Sequence, residues 1–157
     1  MIGVNNPGNI RAGAGKFYGE VDPVRGFRSF NSLTYGYRAM MKILQTYHNN
    51  DGLKTISQIV NRYAPPSDNN PTSAYAAFVA HSIGVDVNQD ISKLLFNHAL
   101  VDIVASMSNF EQGGAFKNDY EALEAAYNIV EPGASADSSG NELLPIALLL
   151  FAALYLL

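Results

Sequence analysis

Apolar positions recur with helical spacing through most of this chain. Ser32 is placed to cap a helix running to about residue 48. Leu33, Tyr37, Met40, Met41, Leu44 and Tyr47 form its apolar side, and Asn49-Asn50-Asp51-Gly52 ends it. A second, short amphipathic helix is expected over residues 55–63, with Ile56, Ile59, Val60 and Tyr63 on one side. Ala64-Pro65-Pro66 stops it, because neither proline can donate a backbone hydrogen bond. The third helix opens at Pro71 or Thr72 and closes at Gly84. A longer one is expected over residues 91–111, with Phe96, Leu100, Ile103, Val104, Met107 and Phe110 as its stripe and Gly113-Gly114 as its terminator. The last spans residues 118–130. Residues 1–31 are rich in Gly, Asn and aromatics instead. Two strand-like pieces, 17–21 and 26–30, flank Asp22-Pro23 and suggest a small β lobe. The pattern predicts a mainly α, α+β domain over residues 1–131.

The pattern changes abruptly beyond that domain. Residues 132–141 (PGASADSSGN) have nothing to bury and read as a flexible linker. Residues 143–157 (LLPIALLLFAALYLL) carry no charge, so residues 142–157 are expected to form a C-terminal membrane-anchoring transmembrane helix. Fifteen helical residues reach roughly 22 Å, short of a ~30 Å hydrocarbon core, so the span is marginal. A buried core helix or a dimerisation segment is the alternative for so short a run.

Composition narrows the chemistry. The net charge is −4, and the ten Lys and Arg residues form no basic run. Nucleic acid is therefore not expected as the main partner, since phosphate binding needs clustered cations, whereas a neutral glycan is compatible. The absence of cysteine excludes disulfides and thiolate metal sites. The opening MIGVNNPGNIRAG has no apolar run of signal-peptide type, and Ile2 breaks the myristoylation pattern, so neither feature is expected. His48, His81 and His98 fall on separate segments with no HxxxH or HExxH pairing, and no phosphate-binding loop or GxSxG elbow occurs. No metal and no cofactor is expected.

Carboxylates remain. Glu111 ends the long helix in MSNFEQGG, one and two turns after Met107 and Val104 and next to Phe110. Apolar neighbours and the negative end of the helix dipole both favour the protonated carboxyl that a general acid needs. A solvated glutamate in a frayed turn is the plainer reading. Glu20 and Asp22 lie near Phe17 and Tyr18, an aromatic and acidic surface that could take a sugar chain, although Asp22 before proline also suits a turn. Glu121, Glu124 and Glu131 look like solvated residues.

The opening NNPGNIR, the aromatic-x-Gly at residues 17–19, GFRSFNSLTYGYRAMMKILQTY, TISQIVNRYAPPSDNNPTSAYAAFVAHSIGV and the final MSNFEQGG occur in order over residues 4–114. Together they resemble a family of phage- and prophage-encoded virion structural or lysis proteins that are lysozyme-like and cut peptidoglycan. The pattern is also similar to bacterial glucosaminidases and lytic transglycosylases. There, however, the helix ending in the catalytic Glu precedes the asparagine-rich loop. The resemblance implies a permuted lysozyme-like fold with Glu111 as the acid. It also implies that Asn6, Asn9 and Arg11 hydrogen-bond sugar groups or order their loop, that Tyr18 and Tyr63 line the cleft, and that Glu20 or Asp22 is a candidate second carboxylate. Phe17 and Tyr63 stand where family members carry Trp, and the chain has no Trp at all. The implied partners are peptidoglycan, a lipid membrane through residues 143–157, and other virion membrane or capsid proteins. The implied location is a phage's internal membrane or the host envelope. A non-catalytic virion scaffold and a cellular tail-anchored adaptor are the competing readings.

Overall fold

The computed structural model describes residues 1–132. They form five helices and one two-stranded sheet: β1 (Glu20–Val24), β2 (Phe27–Phe30), α1 (Leu33–Asp51), α2 (Ile56–Tyr63), α3 (Thr72–Ser82), α4 (Ala99–Glu111) and α5 (Tyr120–Val130). The domain is thus mainly helical with a small β lobe. Among the described residues no helix is long and apolar enough to cross a membrane. The linker from residue 133 onward and the apolar tail lie outside the described residues.

Helix α1 is the central element. Tyr37, Ala39, Met40, Met41 and Leu44 are fully buried along it, and α5 is its most extensive partner. Its start agrees with the sequence pattern, but Ser32 sits in extended backbone without a side-chain capping bond. Its end is later than expected. Asn49, Asn50 and Asp51 continue the helix as an exposed last turn, which stops at Gly52 in the left-handed region. Thr55 and Gln58 form a reciprocal capping box that starts α2, and Asp119 caps α5 by accepting from the Ala122 amide.

The expected helix over residues 91–111 is split. A 3-10 turn occupies Leu94–Phe96, Asn97 is extended, and α4 begins only at Ala99. The Asn97 side chain accepts from the Ala99 amide at 2.9 Å, a local bond that competes with helix continuation. Phe96 consequently leaves the core and is 40% exposed, its ring edge against His48.

The β lobe also differs from expectation. Asp22-Pro23 is not the turn but an irregularity inside β1, between the pairs Val21–Ser29 and Val24–Phe27. The reversal falls on Arg25-Gly26, both at positive φ (51° and 79°), as a tight hairpin turn of right-handed twist demands. Pro23 is tolerated because β1 has a free edge.

Candidate functional site

The N-terminal loop is shaped by its asparagines. Asn5 and Asn9 adopt positive φ (51° and 46°), which asparagine tolerates better than most residues. Asn6 is fully buried: its amide donates to the Ile10 and Arg28 carbonyls (3.0 and 2.9 Å) and accepts from the Ile10 amide (2.9 Å). The Asn6 side chain is therefore committed to holding the loop, which is the ordering role of the two the sequence allowed. The loop lies tightly on α1 and α2. A Cβ on Gly36 would stand 2.1 Å from the Asn5 carbonyl oxygen, and one on Gly8 would stand 2.3 Å from the Tyr63 hydroxyl.

This packing brings the loop to the end of α4. The Asn9 amide donates to the main-chain carbonyl of Glu111 (2.8 Å) and to its carboxylate (3.2 Å). Gln112 donates to the Pro7 carbonyl (2.9 Å) and to Asn9 Oδ1 (3.2 Å), and the Tyr63 hydroxyl donates to the Gly8 carbonyl (2.6 Å). Tyr75, on α3, points its hydroxyl at the Glu111 carboxyl and at the Met107 carbonyl (3.4 Å). Glu111 is half-buried. Burial raises its pKa above the usual glutamate range, and the bonds from Asn9 and Tyr75 offset part of that shift. The hydroxyls of Tyr63 and Tyr75 are pushed well above the tyrosine range, first by burial and next by the charge of Glu111, so both remain protonated donors.

The β-lobe candidates behave differently. Glu20 forms an ion pair with Arg28, the side chains of both being about 6% exposed, and it also accepts from the Phe17 amide (2.9 Å). Arg28 in turn donates to the Gly15 and Ala14 carbonyls and lies 4.9 Å from the centroid of the Phe17 ring. Asp22 is exposed on β1. Tyr18 is 67% exposed, its ring edge-on to Tyr35 at 5.3 Å and beneath the Arg38 guanidinium. Arg11 is exposed and 3.7 Å from Asp68. Of the residues singled out from sequence, then, Asn9, Glu111 and Tyr63 converge. Asn6 and Glu20 are consumed by the fold, while Tyr18 and Arg11 stand on the surface of the β lobe and its neighbouring loop.

Protein P5 of Pseudoalteromonas phage PM2 is 32% identical to this chain over 116 residues, which covers 69% of this chain and 68% of P5. The chain belongs to the P5 family of bacteriophage proteins. No family model matches the sequence. In this P5-family chain, two residues of the cluster, Tyr75 and Gln112, carry no signal in the sequence pattern. Tyr75 reads as one more core aromatic, although a polar-tipped ring in an otherwise apolar helix needs a partner for its hydroxyl. Gln112, directly before Gly113-Gly114, binds the loop through Pro7 and Asn9. Phe110, expected on the apolar stripe and beside Glu111, does pack against the core, and it does so by stacking on buried Tyr75 (4.2 Å, 12°). Glu131, expected to be solvated, accepts from buried Gln45 at 2.7 Å. Among the described residues, no three His, Asp or Glu side chains gather as metal ligands would.

Chemically, the cluster is a carboxyl held by neutral donors. Among the described residues no cation pairs with it, and burial raises its pKa, so it retains a proton to higher pH than an exposed glutamate does. Such a group can deliver that proton and recover it within one reaction.

Proposed function

We propose that this chain is a phage virion protein that cleaves the glycan strands of peptidoglycan, with Glu111 as its acid. The observation that carries this reading is the half-buried Glu111 carboxyl, raised in pKa and gripped by Asn9 from the NNPGN loop. Membership of the P5 family supports the phage origin and a place in the virion. The motif order supports a permuted lysozyme-like fold. The uncharged segment 143–157 supports attachment of the domain, residues 1–131, to a lipid membrane through the linker 132–141, in the virion's internal layer or the host envelope.

Glu111 protonates the glycosidic oxygen as the bond from the muramoyl C1 breaks. The commitment of Glu20 to Arg28 favours a single-carboxylate route over the two-carboxylate scheme. The ionised Glu111 then removes the proton of the muramoyl 6-hydroxyl as that oxygen bonds to C1. The carboxyl is thereby restored, and the product is a 1,6-anhydro sugar, the lytic transglycosylase outcome. Tyr63 and Asn9 keep the loop against the acid throughout.

A second reading is a non-catalytic virion scaffold or wall-binding module. The double grip of Asn9 on the carbonyl and carboxylate of Glu111 favours it, because such a grip also clasps the chain's first loop to its fourth helix. The test is a peptidoglycan zymogram with wild type and Glu111→Gln. Clearing by wild type, reduced about 10²–10⁴-fold in E111Q without loss of fold, is expected for a general acid. Equal clearing by both would mean that the acid is misassigned, and no clearing by wild type across pH would leave the scaffold. Product strands lacking a reducing end distinguish the transglycosylase from a hydrolase.

A further inference from the structure

Helix α3 has an unusual distribution of apolar side chains. Tyr75, Ala76, Val79 and Ala80 face the core, yet the opposite side carries Ala74, Ala77 and Phe78. Phe78 is 37% exposed, a large aromatic where a solvated helix face needs none. Its ring is not isolated. It lies 5.5 Å from the ring of Phe110 at 53°, and Phe110 is stacked on Tyr75. The Tyr75 hydroxyl reaches the Glu111 carboxyl, and Phe110 directly precedes Glu111 in α4. Phe78 is therefore the solvent-facing end of a three-ring series whose middle ring, Phe110, directly precedes the acid in α4.

We propose that Phe78 is the substrate-positioning aromatic of this site, presenting its ring to the apolar face of a sugar in the glycan strand next to the scissile bond. The inference rests on the peptidoglycan-cleaving reading above. Pyranose rings expose a face of C–H groups, and a held aromatic ring covers such a face at little entropic cost, because only two torsions need fixing. Phe110 restrains the Phe78 ring from one side, so it is partly ordered before a ligand arrives. The flanking Ala74 and Ala77 leave space over the helix for a bulky sugar. Tyr18, the exposed aromatic suggested by the sequence, packs instead on Tyr35 and Arg38 in the β lobe.

The test uses the full chain. Association with purified sacculi is measured by sedimentation in an E111Q background, so that the wall is not consumed, for Phe78, F78A, F78L and F78W. Loss of the ring in F78A and F78L should weaken association roughly 3- to 10-fold, with F78W restoring it. In the active background the same variants should raise KM for solubilised strands by a similar factor and leave kcat nearly unchanged. F78L keeps apolar volume against Phe110, so a merely structural role predicts that it behaves like wild type, and that result overturns the proposal. Equal association and KM in all variants overturns it too, and leaves the cleavage reading intact. Concentration-dependent self-association lost in F78A, with sacculus binding unmoved, assigns the ring to a second copy of the chain instead. A wild type that neither binds sacculi nor cuts strands removes both proposals together.

Discussion

Two carboxylates in this domain are withdrawn from water, and their surroundings make them opposites. Glu20, in the β lobe, is paired with Arg28, whose Nη1 and Nη2 also donate to the carbonyls of residues 15 and 14. Glu111, at the end of α4, meets neutral groups among the described residues, the Asn9 amide and the Tyr75 hydroxyl. A cation fixes the charged form and makes the carboxylate a piece of architecture. Neutral donors orient the group but leave the desolvation cost of charge in place, so its pKa stays raised. Burial alone does not mark a reactive acid; burial without a counter-charge does.

The largest effect that separates the two regions is expected at Arg28. Arg28→Ala strands the Glu20 carboxylate in the β lobe and should cost about 3–5 kcal/mol in chemical denaturation. Replacing both members with apolar residues should recover most of that loss. If R28A were as stable as wild type, Glu20 would be free to act and the contrast with Glu111 would collapse. Asn9→Ala is the milder counterpart at the other carboxyl. It removes bonds to Glu111 and Gln112 and should cost about 1–3 kcal/mol. Because the Asn9 bond lowers the pKa of Glu111, the same variant should raise it further, read from the carboxyl carbon shift during an NMR titration; a fall would contradict this account of the site.

The smallest effect is one of sign. Folding raises the pKa of Glu111, so the folded state binds that proton more tightly than the unfolded one. The stability this contributes is complete below the unfolded glutamate range and is lost as pH rises through the folded value. E111Q cannot titrate there and can still accept from Asn9. It should therefore melt above wild type near neutral pH, with the gap closing as pH falls below the ordinary glutamate range. A gap that widened in acid would show that Glu111 is held charged.

Much of the helical frame was legible because its signals are local. Apolar positions recur along α1 and α5, and the Thr55/Gln58 box and Asp119 caps act within one turn. The split before α4 was not legible, since the apolar stripe runs through Leu94–Phe96 and a single Asn97 side chain overrides it. The hairpin turn was displaced for a similar reason: Asp22-Pro23 is a strong turn signal, but Arg25-Gly26 satisfies the twist better. At the site, the desolvation of Glu111 followed from its own helix, whereas its donors came from residues far along the chain. Asn6 and Asn9 sit three apart in one motif and look alike; only the tertiary placement spends one on the loop and offers the other to the acid. Nothing local to Glu20 announced Arg28, which reaches it across the hairpin.

The Asn9–Glu111 contact spans 102 residues, nearly the whole described domain. A bond of that sequence separation is among the last to form, because most of the chain must already be ordered to hold its two ends together. On a ribosome the loop is made first and waits for α4 to emerge. Until then Glu111 is an ordinary solvated carboxylate, and a chain nicked anywhere between its first loop and its fourth helix holds the acid's donor only by packing. Completion of the fold thus doubles as the step that arms the carboxyl, which gives refolding experiments a direct optical-free clock: the pH titration of Glu111 itself.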